Sequence, residues 1–534
     1  MSFRTTFGRD IFEQKYPLFP GETWEERAHT VAWDVCEKWL HKDTVREIER
    51  IILDMKFLPA GRYLYYAGRE VKFFNNCFAA LIEDTRGGWA NFNGNATNAL
   101  MCGGGVGGYY GFIRPRDSIL KRSGGVASGP VPLMRIANEI GREVQQGGSR
   151  RSALWAGLNW DHPDIQEFIR AKNWSKEVQL MKAKDYNFPA PLDQTNISVC
   201  FDDKFLRNPD MKLWSQIVTQ MATNGEPGMA FNFGEHSKEL GRNACCEFIS
   251  DQPWDVCNLG SLNFSRIKDI RELQWVTYLA AQFLMCGSLR SELPFQEVRD
   301  TRQNHRKIGL GIMGLHEWML QRGYRYGMSD ELRQWLQVYK ERSEMGADEF
   351  AYTIGCSPAE RYRAIAPSGT ISILAGTTSG IEPIFAIAMR RRYLVDGTRW
   401  KAQYVIDPTA QAIADQLGLD PDTIETAYTL AAHPERRVRF QAEVQEFVDM
   451  GISSTINLPD RGSDLNNEYT DQYLSDILLK YAPKLRGITA YPNNGRHGQT
   501  ITAVPYLDAR DCQGIIYDDN VATEYQCRSG VCSM

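Results

Sequence analysis

The sequence predicts an α/β fold whose strands run parallel and are buried on both faces. Two observations carry this. From about residue 178 onward, short apolar runs alternate with stretches of helical periodicity, a pattern that builds a parallel sheet covered by helices. At 534 residues the chain is also long enough to bury a large core, as one oversized domain or two to three ordinary ones. Composition is that of a soluble globular protein, and the formal net charge of −5 gives no sign of a surface for a nucleic-acid polymer. Residues 1–14 scatter charges where a signal peptide would have an apolar core. The longest apolar run, 275–289, is interrupted by Gln282 and is too short to span a membrane. These features point to the cytoplasm, where the 12 cysteines would serve as core, metal or catalytic groups.

In chain order, residues 24–39 and 44–55 place apolar side chains at helical spacing. Pro59-Ala60-Gly61 breaks that pattern, so residues 1–75 read as a peripheral helical region. Residues 73–79 read as a short buried strand entering the main domain, with Cys77 among aromatics. The glycine run 103–108 formally contains G-x-G-x-x-G. A dinucleotide fingerprint needs a strand before it and a helix after it, whereas 91–101 reads as helix and 109–113 as strand. The glycines are instead expected to let backbone approach a ligand or another chain closely. A flexible loop over 123–130 precedes a helix over 131–145, and a third loop holds Gln146 and the adjacent arginines Arg150 and Arg151. Guanidinium forks match phosphate; a solvated basic turn is the competing reading.

Further strands are expected over 196–201, 229–233, 259–264, 308–313, 363–366, 452–458 and 487–491. Helices are expected over 214–223, 273–289, 330–352 and 423–450. The turn Pro367-Ser368-Gly369-Thr370-Ile371-Ser372 follows a strand, and its N–H and O–H groups can cradle phosphate. It is no Walker loop, because no Gly-Lys-Ser/Thr follows. Residues 511–534 read as a mobile tail ending in Cys527 and Cys532. Two thiols five apart in a tail can close on one another; zinc competes, without a second Cys/His pair nearby.

The most informative stretch is N-A-C-C-E-F-I-S-D-Q-P-W-D-V-C, residues 243–257. Read as an extended loop, it puts Asn243, Cys245 and Glu247 on one face and turns Cys246 away. A thiol can exchange a hydrogen atom with a carbon centre, a carboxylate can take a proton from a hydroxyl, and an amide can orient that hydroxyl. A second thiol such as Cys257 can form a disulfide and supply two electrons. Taken one at a time, these cysteines also fit small buried core residues.

Joined in order, the motifs resemble the large catalytic subunit of ribonucleotide reductases, from about Gly61 to the C-terminus. They are N-N-C-F around Cys77, G-G-G-V-G, S-G-G-V-A-S-G-P, G-G-S-R-R, N-x-C-x-E with its following cysteine, P-S-G-T-I-S followed by S-G-I-E-P, and the final C-x4-C. The resemblance implies a ten-stranded α/β barrel over 76–510, built from two parallel five-stranded halves around a central finger loop. Residues 1–75 would then form the N-terminal helical region and 511–534 a flexible redox tail.

It also implies roles. Cys245 becomes the thiyl radical that abstracts the 3′ hydrogen of the ribose and must be sealed from water. Glu247 is the base at the 3′ hydroxyl, and Asn243 holds the hydroxyls. Cys77 and Cys257 reduce the 2′ position and end as a disulfide. Cys527 and Cys532 re-reduce them and are reset by thioredoxin or glutaredoxin. Asn76, Ser368, Gly369, Thr370, Ile371 and Ser372 bind substrate, a ribonucleoside di- or triphosphate. Gln146 and Arg150 pass the identity of a dNTP or ATP effector to base choice. Cys246, where a small non-cysteine residue is usual, receives no role, and no metal is assigned to the chain.

The short interval from Cys245 to Cys257, and one tyrosine (Tyr491) where a pair is usual, resemble the adenosylcobalamin-dependent branch. The alternative is a chain with no cofactor of its own, fed by a separate metal-bearing radical subunit. A homodimer is expected, with no dATP activity switch. Two rivals from other classes are a plain thiol–disulfide oxidoreductase, disfavoured by the lack of C-x-x-C, and a non-catalytic nucleotide-binding regulator, which would not need Glu247.

Overall fold

The structure, a computed structural model, describes residues 3–144, 152–185, 188–395, 399–493, 495 and 501–518. Gln146, Arg150, Cys527 and Cys532 lie outside the described residues.

Ten strands organise the chain, numbered here in sequence order. They are β1 (Cys77–Leu81), β2 (Gly105–Tyr109), β3 (Leu154–Asn159), β4 (Thr195–Asp202), β5 (Gly228–Asn232), β6 (Trp254–Asn263), β7 (Lys307–Met313), β8 (Arg361–Arg363), β9 (Thr455–Leu458) and β10 (Gly487–Pro492). Strands β1 to β5 pair in order, all parallel. β6 pairs parallel with β7, β7 with β8, and β9 with β10. The two halves meet antiparallel, β6 on β1 and β10 on β5.

The ends of this path also meet. Ile365 and Ile452 form a parallel bridge, supported by Met450 N to Arg363 O at 3.1 Å, Ile365 N to Gly451 O at 3.1 Å and Ser453 N to Ile365 O at 2.8 Å. The strands form a ring of two five-stranded parallel halves, as expected. Along this seam the apolar runs at 363–366 and 452–458 extend beyond the regular ladder. β6 is buried along its whole length, as a strand covered on both faces must be, and it carries Asp255 and Asn258 into the interior with it.

Most expected elements recur with shifted ends. Differences have local causes. The glycine run is itself a strand, β2, and the expected strand at 109–113 begins where β2 ends. The helix expected over 423–450 is broken into Pro421–Thr423, Ala427–Leu430 and Pro434–Gln445, because a proline cannot continue a preceding helix. The segment ahead of Cys77 is helical but not peripheral. Trp24–Cys36, started by a Thr23/Glu26 capping box, and Lys42–Leu53 bury Val31, Val35, Ile48 and Ile52 in the core that Ile270–Arg290 and Asp330–Ile354 share. Phe57–Pro59 pairs with Gly260–Leu262 of β6. A small antiparallel sheet, Ile501–Ala503, Ala388–Val395, Arg399–Ile406 and Ile516–Asp518 in spatial order, was not legible in the sequence. Its last strand also corrects the tail boundary, since residues 516–518 are held by pairing with Arg399–Ile406.

Between β5 and β6 the chain forms a two-stranded ribbon, Gly241–Arg242 against Ile249–Ser250, which threads the ring. A Cβ on Gly107 of β2 would lie 1.8 Å from the Arg242 carbonyl oxygen, and one on Gly451 2.4 Å from that of Cys246. The glycines thus admit close backbone approach, and what approaches is the chain's own finger. Its base is pinned by charge. Buried Arg242 donates to the carbonyls of Arg486 at 2.7 Å and Glu239 at 3.2 Å, and Glu239 pairs with Arg361 and Arg486.

Candidate active site

The tip of the finger is a tight turn. Cys246 N donates to Asn243 O at 3.1 Å, and Cys246 takes a left-handed conformation with φ of 64°. The expected extended segment is therefore corrected. Asn243 and Glu247 converge because a turn folds them together, not because alternate residues share a face. Asn243 Nδ2 donates to Glu247 Oε1 at 2.9 Å, and Asn243 Oδ1 accepts from Phe248 N at 3.1 Å. The amide is held from both ends. Cys246 does turn away, as expected, against Tyr109, Trp155, Cys200 and Ala230. Cys245, expected to be sealed from solvent, is exposed at the tip. The turn pushes it outward.

Beneath the tip lie the other two thiols. β1 and β6 place Cys77 directly opposite Cys257, so both side chains leave the same face of neighbouring strands. Both are buried, at a strand pairing whose spacing suits a disulfide. Cys77 Sγ lies 3.5 Å from Glu247 Oε1, which ties the pair to the finger. Cys257 Sγ donates to Asn258 O at 3.2 Å, and a Cβ on Gly309 of β7 would lie 3.2 Å from that sulfur.

Burial shapes the chemistry of all three groups. It raises the Glu247 carboxyl above its ordinary value, against hydrogen bonds from its own backbone, Asn243 and Cys77. It pushes Cys77 well up, helped by Glu247, and Cys257 well up, helped by Asp255. Glu247 Oε2 is buried without a hydrogen-bond partner among the described residues. Asn76 Oδ1, next to Cys77, is likewise a buried orphan acceptor. An unmet buried acceptor is costly, and a bound hydroxyl would satisfy it.

Residues 367–372 leave the seam just after Ile365. Ser368 caps a short helix, Gly369–Ala375; its Oγ donates to Ser379 Oγ at 3.2 Å and accepts from Gly380 N at 3.1 Å. Thr370 is half-buried, Ile371 and Ser372 are buried, and Gly369 is exposed with nothing within 4 Å of a Cβ there. The loop starts beside the thiols, because Ala364 and Ala366 pack in one cluster with Cys77 and Cys257. Asp255 and Lys307, a buried ion pair near Cys257, were missed in the sequence. The signal was present in D-V-C, a carboxylate two residues before a thiol on one strand face.

A family profile described as the ribonucleotide reductase barrel domain matches residues 75–210, 208–348 and 360–491. The chain belongs to the ribonucleotide reductase family. Among curated relatives of this reductase, the vitamin B12-dependent ribonucleoside-diphosphate reductase of Mycobacterium tuberculosis (strain CDC 1551 / Oshkosh) is 28% identical over 553 residues, covering 90% of this chain and 77% of that one. The protein of the same description from Thermoplasma acidophilum is 27% identical, covering 86% and 66%. A putative adenosylcobalamin-dependent ribonucleoside-triphosphate reductase of Mycobacterium phage D29 is 26% identical, covering 71% and 64%. Among solved structures, the Actinobacillus ureae class Id ribonucleotide reductase alpha subunit superposes with a TM-score of 0.73 at 16% identity, covering 92% of this chain and 97% of that one. That likeness speaks to the fold.

Proposed function

We infer that this reductase converts ribonucleotides to 2′-deoxyribonucleotides for DNA precursor synthesis, with Cys245 as the radical thiol and Cys77 and Cys257 as the reductant. The observation that carries the reading is the stack of functional groups, with Cys77 opposite Cys257, Glu247 bonded to Cys77, and Cys245 two residues from Glu247 at the open tip. Asn243 and the free oxygen of Glu247 receive the ribose hydroxyls. Cys245, as a thiyl, takes the 3′ hydrogen atom while Glu247 takes the proton of the 3′ hydroxyl. The 2′ oxygen leaves as water, and Cys77 and Cys257 lose two hydrogens and close to a disulfide. The sum is one ribonucleotide and one dithiol giving one deoxyribonucleotide, one water and one disulfide. The Cys245 hydrogen is returned at the end of each cycle. Substrate covering the tip supplies the seal that keeps water from the radical.

The cofactor is adenosylcobalamin. The exposure of Cys245 fits it, since an exposed thiol would be accessible to a radical carrier bound beside the tip. Asn196, exposed, donates to the carbonyl of Ala244, the residue before Cys245, at 3.1 Å, and would be a polar contact for the group there. When bound, the group supplies a radical from its carbon–cobalt bond; the protein orients the thiol and the sugar. Ser368, Gly369, Thr370, Ile371 and Ser372 hold the substrate phosphates, with Asn76 at the sugar. Gln146 and Arg150 relay the dNTP or ATP effector, and Cys527 and Cys532 recharge the dithiol with electrons from thioredoxin or glutaredoxin.

A homodimer is supported by the outer face of Arg86–Met101 and Pro130–Glu143, which pack together and leave Met101 63% and Ile136 48% exposed. Among the described residues no helix is long and apolar enough to cross a membrane; the cytoplasm is the proposed compartment.

The deciding experiment assays the purified chain with adenosylcobalamin, dithiothreitol and a ribonucleoside di- or triphosphate. Turnover is expected, and Cys245→Ser should abolish it. No turnover without an added metal-bearing subunit would overturn the cofactor reading, and a fully active Cys245→Ser enzyme the reductase reading.

A further inference from the structure

Below the Cys77–Cys257 pair sits a buried ion pair with no part in the chemistry above it. Asp255 lies two residues before Cys257 on β6, so the two side chains leave the same strand face. Lys307 begins β7, beside Cys257 in the parallel register that sets Ile308 against Asn258. Its Nζ donates to Asp255 Oδ2 at 2.7 Å, with the two side chains 4% and 0% exposed. Ser250 of the finger ribbon donates to the same oxygen at 2.5 Å, and Val256 N to Oδ1 at 2.7 Å.

The pair does not end in the core. Lys307 Nζ lies 3.5 Å from Glu360 Oε2, and Glu360 Oε1 lies 2.8 Å from His305 Nδ1, both of these side chains 41% exposed. A line of polar contacts therefore runs from solvent, at an end of the ring away from the finger tip, to the floor under Cys257. A buried lysine–carboxylate pair is often no more stable than an apolar replacement, so stability alone gives little reason for its presence.

We propose that Lys307 donates the proton to Cys257 when the Cys77–Cys257 disulfide is reduced, with Asp255 positioning its ammonium and Glu360 and His305 returning the proton from solvent. This rests on the reading that Cys77 and Cys257 are the reducing pair. A thiolate of an external dithiol attacks Cys77, the nearer sulfur to the open tip. The Cys77–Cys257 bond breaks, a mixed disulfide with Cys77 forms, and Cys257 leaves as a thiolate. Lys307 gives that thiolate a proton and becomes a neutral amine until it is reprotonated. The second thiolate of the reductant then closes on the first, releasing Cys77, which takes its proton from the open side. Two electrons enter from the dithiol, which ends as its disulfide, and its two protons are balanced by the two on Cys77 and Cys257.

The surroundings ask for such a donor. Burial disfavours the Cys257 thiolate most, and the carboxylates of Asp255, Glu247 and Asp449 add to this; among the described residues Lys307 is the cation that favours it. Lys307 in turn faces Asp255, Glu360 and Asp251.

The test uses the full chain with adenosylcobalamin. Pre-reduced, desalted enzyme is given substrate without reductant, and product per chain is counted; steady-state turnover is then measured with dithiothreitol. Lys307→Met and Lys307→Arg are expected to keep the first product per chain while steady-state turnover falls at least about 10-fold, with the Cys77–Cys257 disulfide accumulating in alkylation mass spectra. Arginine keeps the charge but does not give up its proton. An arginine variant within about twofold of the parent would therefore reduce the role to charge and overturn the proposal. Equal loss of yield and steady-state rate would overturn it in favour of a structural role. If the single variants do not fold, the Lys307→Met/Asp255→Leu double variant, which buries no unpaired charge, carries the same expectations. No single-turnover product from the parent would sink the reductase reading itself.

Discussion

Glu247 works against the stability of the fold that carries it. Its folded pKa lies above the ordinary value because burial disfavours the carboxylate. A raised carboxyl contributes stability below its unfolded value, about 4.3, and that contribution is lost as pH rises through the folded value. Above the unfolded value the carboxyl is therefore a net cost to the fold. Glu247→Gln is therefore expected to unfold at an equal or higher urea concentration at pH 7, while turnover falls about 10²-fold or more, the usual range for a lost general base. The parent's rate should drop as pH falls through the raised value, and the variant should lack that acid limb. A variant clearly less stable than the parent would contradict the burial argument.

At the scale of the element, the finger is held by two devices, close approach and charge. Gly107→Ala would drive a Cβ to 1.8 Å from the Arg242 carbonyl oxygen, a backbone atom within a pinned ribbon. We expect a loss of about 2–3 kcal/mol in urea unfolding, as overpacking costs, and a disproportionate loss of turnover because the tip moves. Wild-type turnover in this variant would mean that the ribbon does not run where the structure has it. Burial opposes ionisation of Glu239, but His236, Arg486 and Arg361 hold its carboxyl far below the usual range. A depressed carboxyl contributes stability above its unfolded value, about 4.3, which is lost as pH falls toward the folded value. Between pH 5 and pH 3 the urea midpoint of the parent should therefore decline. Glu239→Gln should start about 3 kcal/mol lower at pH 7, having left two arginines without their carboxylate, and should show a shallower decline.

At the scale of the whole molecule, the ring leaves one helical face with exposed apolar groups, and this is where a second copy is expected. Ile136→Glu should convert a dimer to a monomer in light scattering, with single-turnover chemistry intact and effector response reduced. A parent that is monomeric with effector bound would remove this expectation. The scale also marks how far the sequence could be read. Helix 330–352 was legible because a 3.6-residue period persists over many turns. The sheet at Ala388–Ile406 was not, because its strands, rich in arginine, lack the apolar run of a buried strand. The glycine run was not expected to be a strand because glycine is depleted in strands; only the finger lying across β2 explains a strand so poor in side chains.

The sequence by itself determined which side chains the proposed reaction has to draw on. They are Asn243, Cys245, Glu247, Cys77 and Cys257, since thiol, carboxyl and amide chemistry is a property of the side chains wherever they sit. The tertiary structure alone decided what each group faces. Strand register set Cys77 against Cys257, a turn rather than strand alternation joined Asn243 to Glu247, and the finger tip left Cys245 exposed where burial was expected. Parallel pairing of β7 with β6 brought Lys307 beside Asp255 under the dithiol. The strand contacts join residues far apart in the chain, which no local pattern encodes, because register is settled only when the strands pair; the finger turn is local, but it needs a left-handed Cys246 that the residue type does not announce.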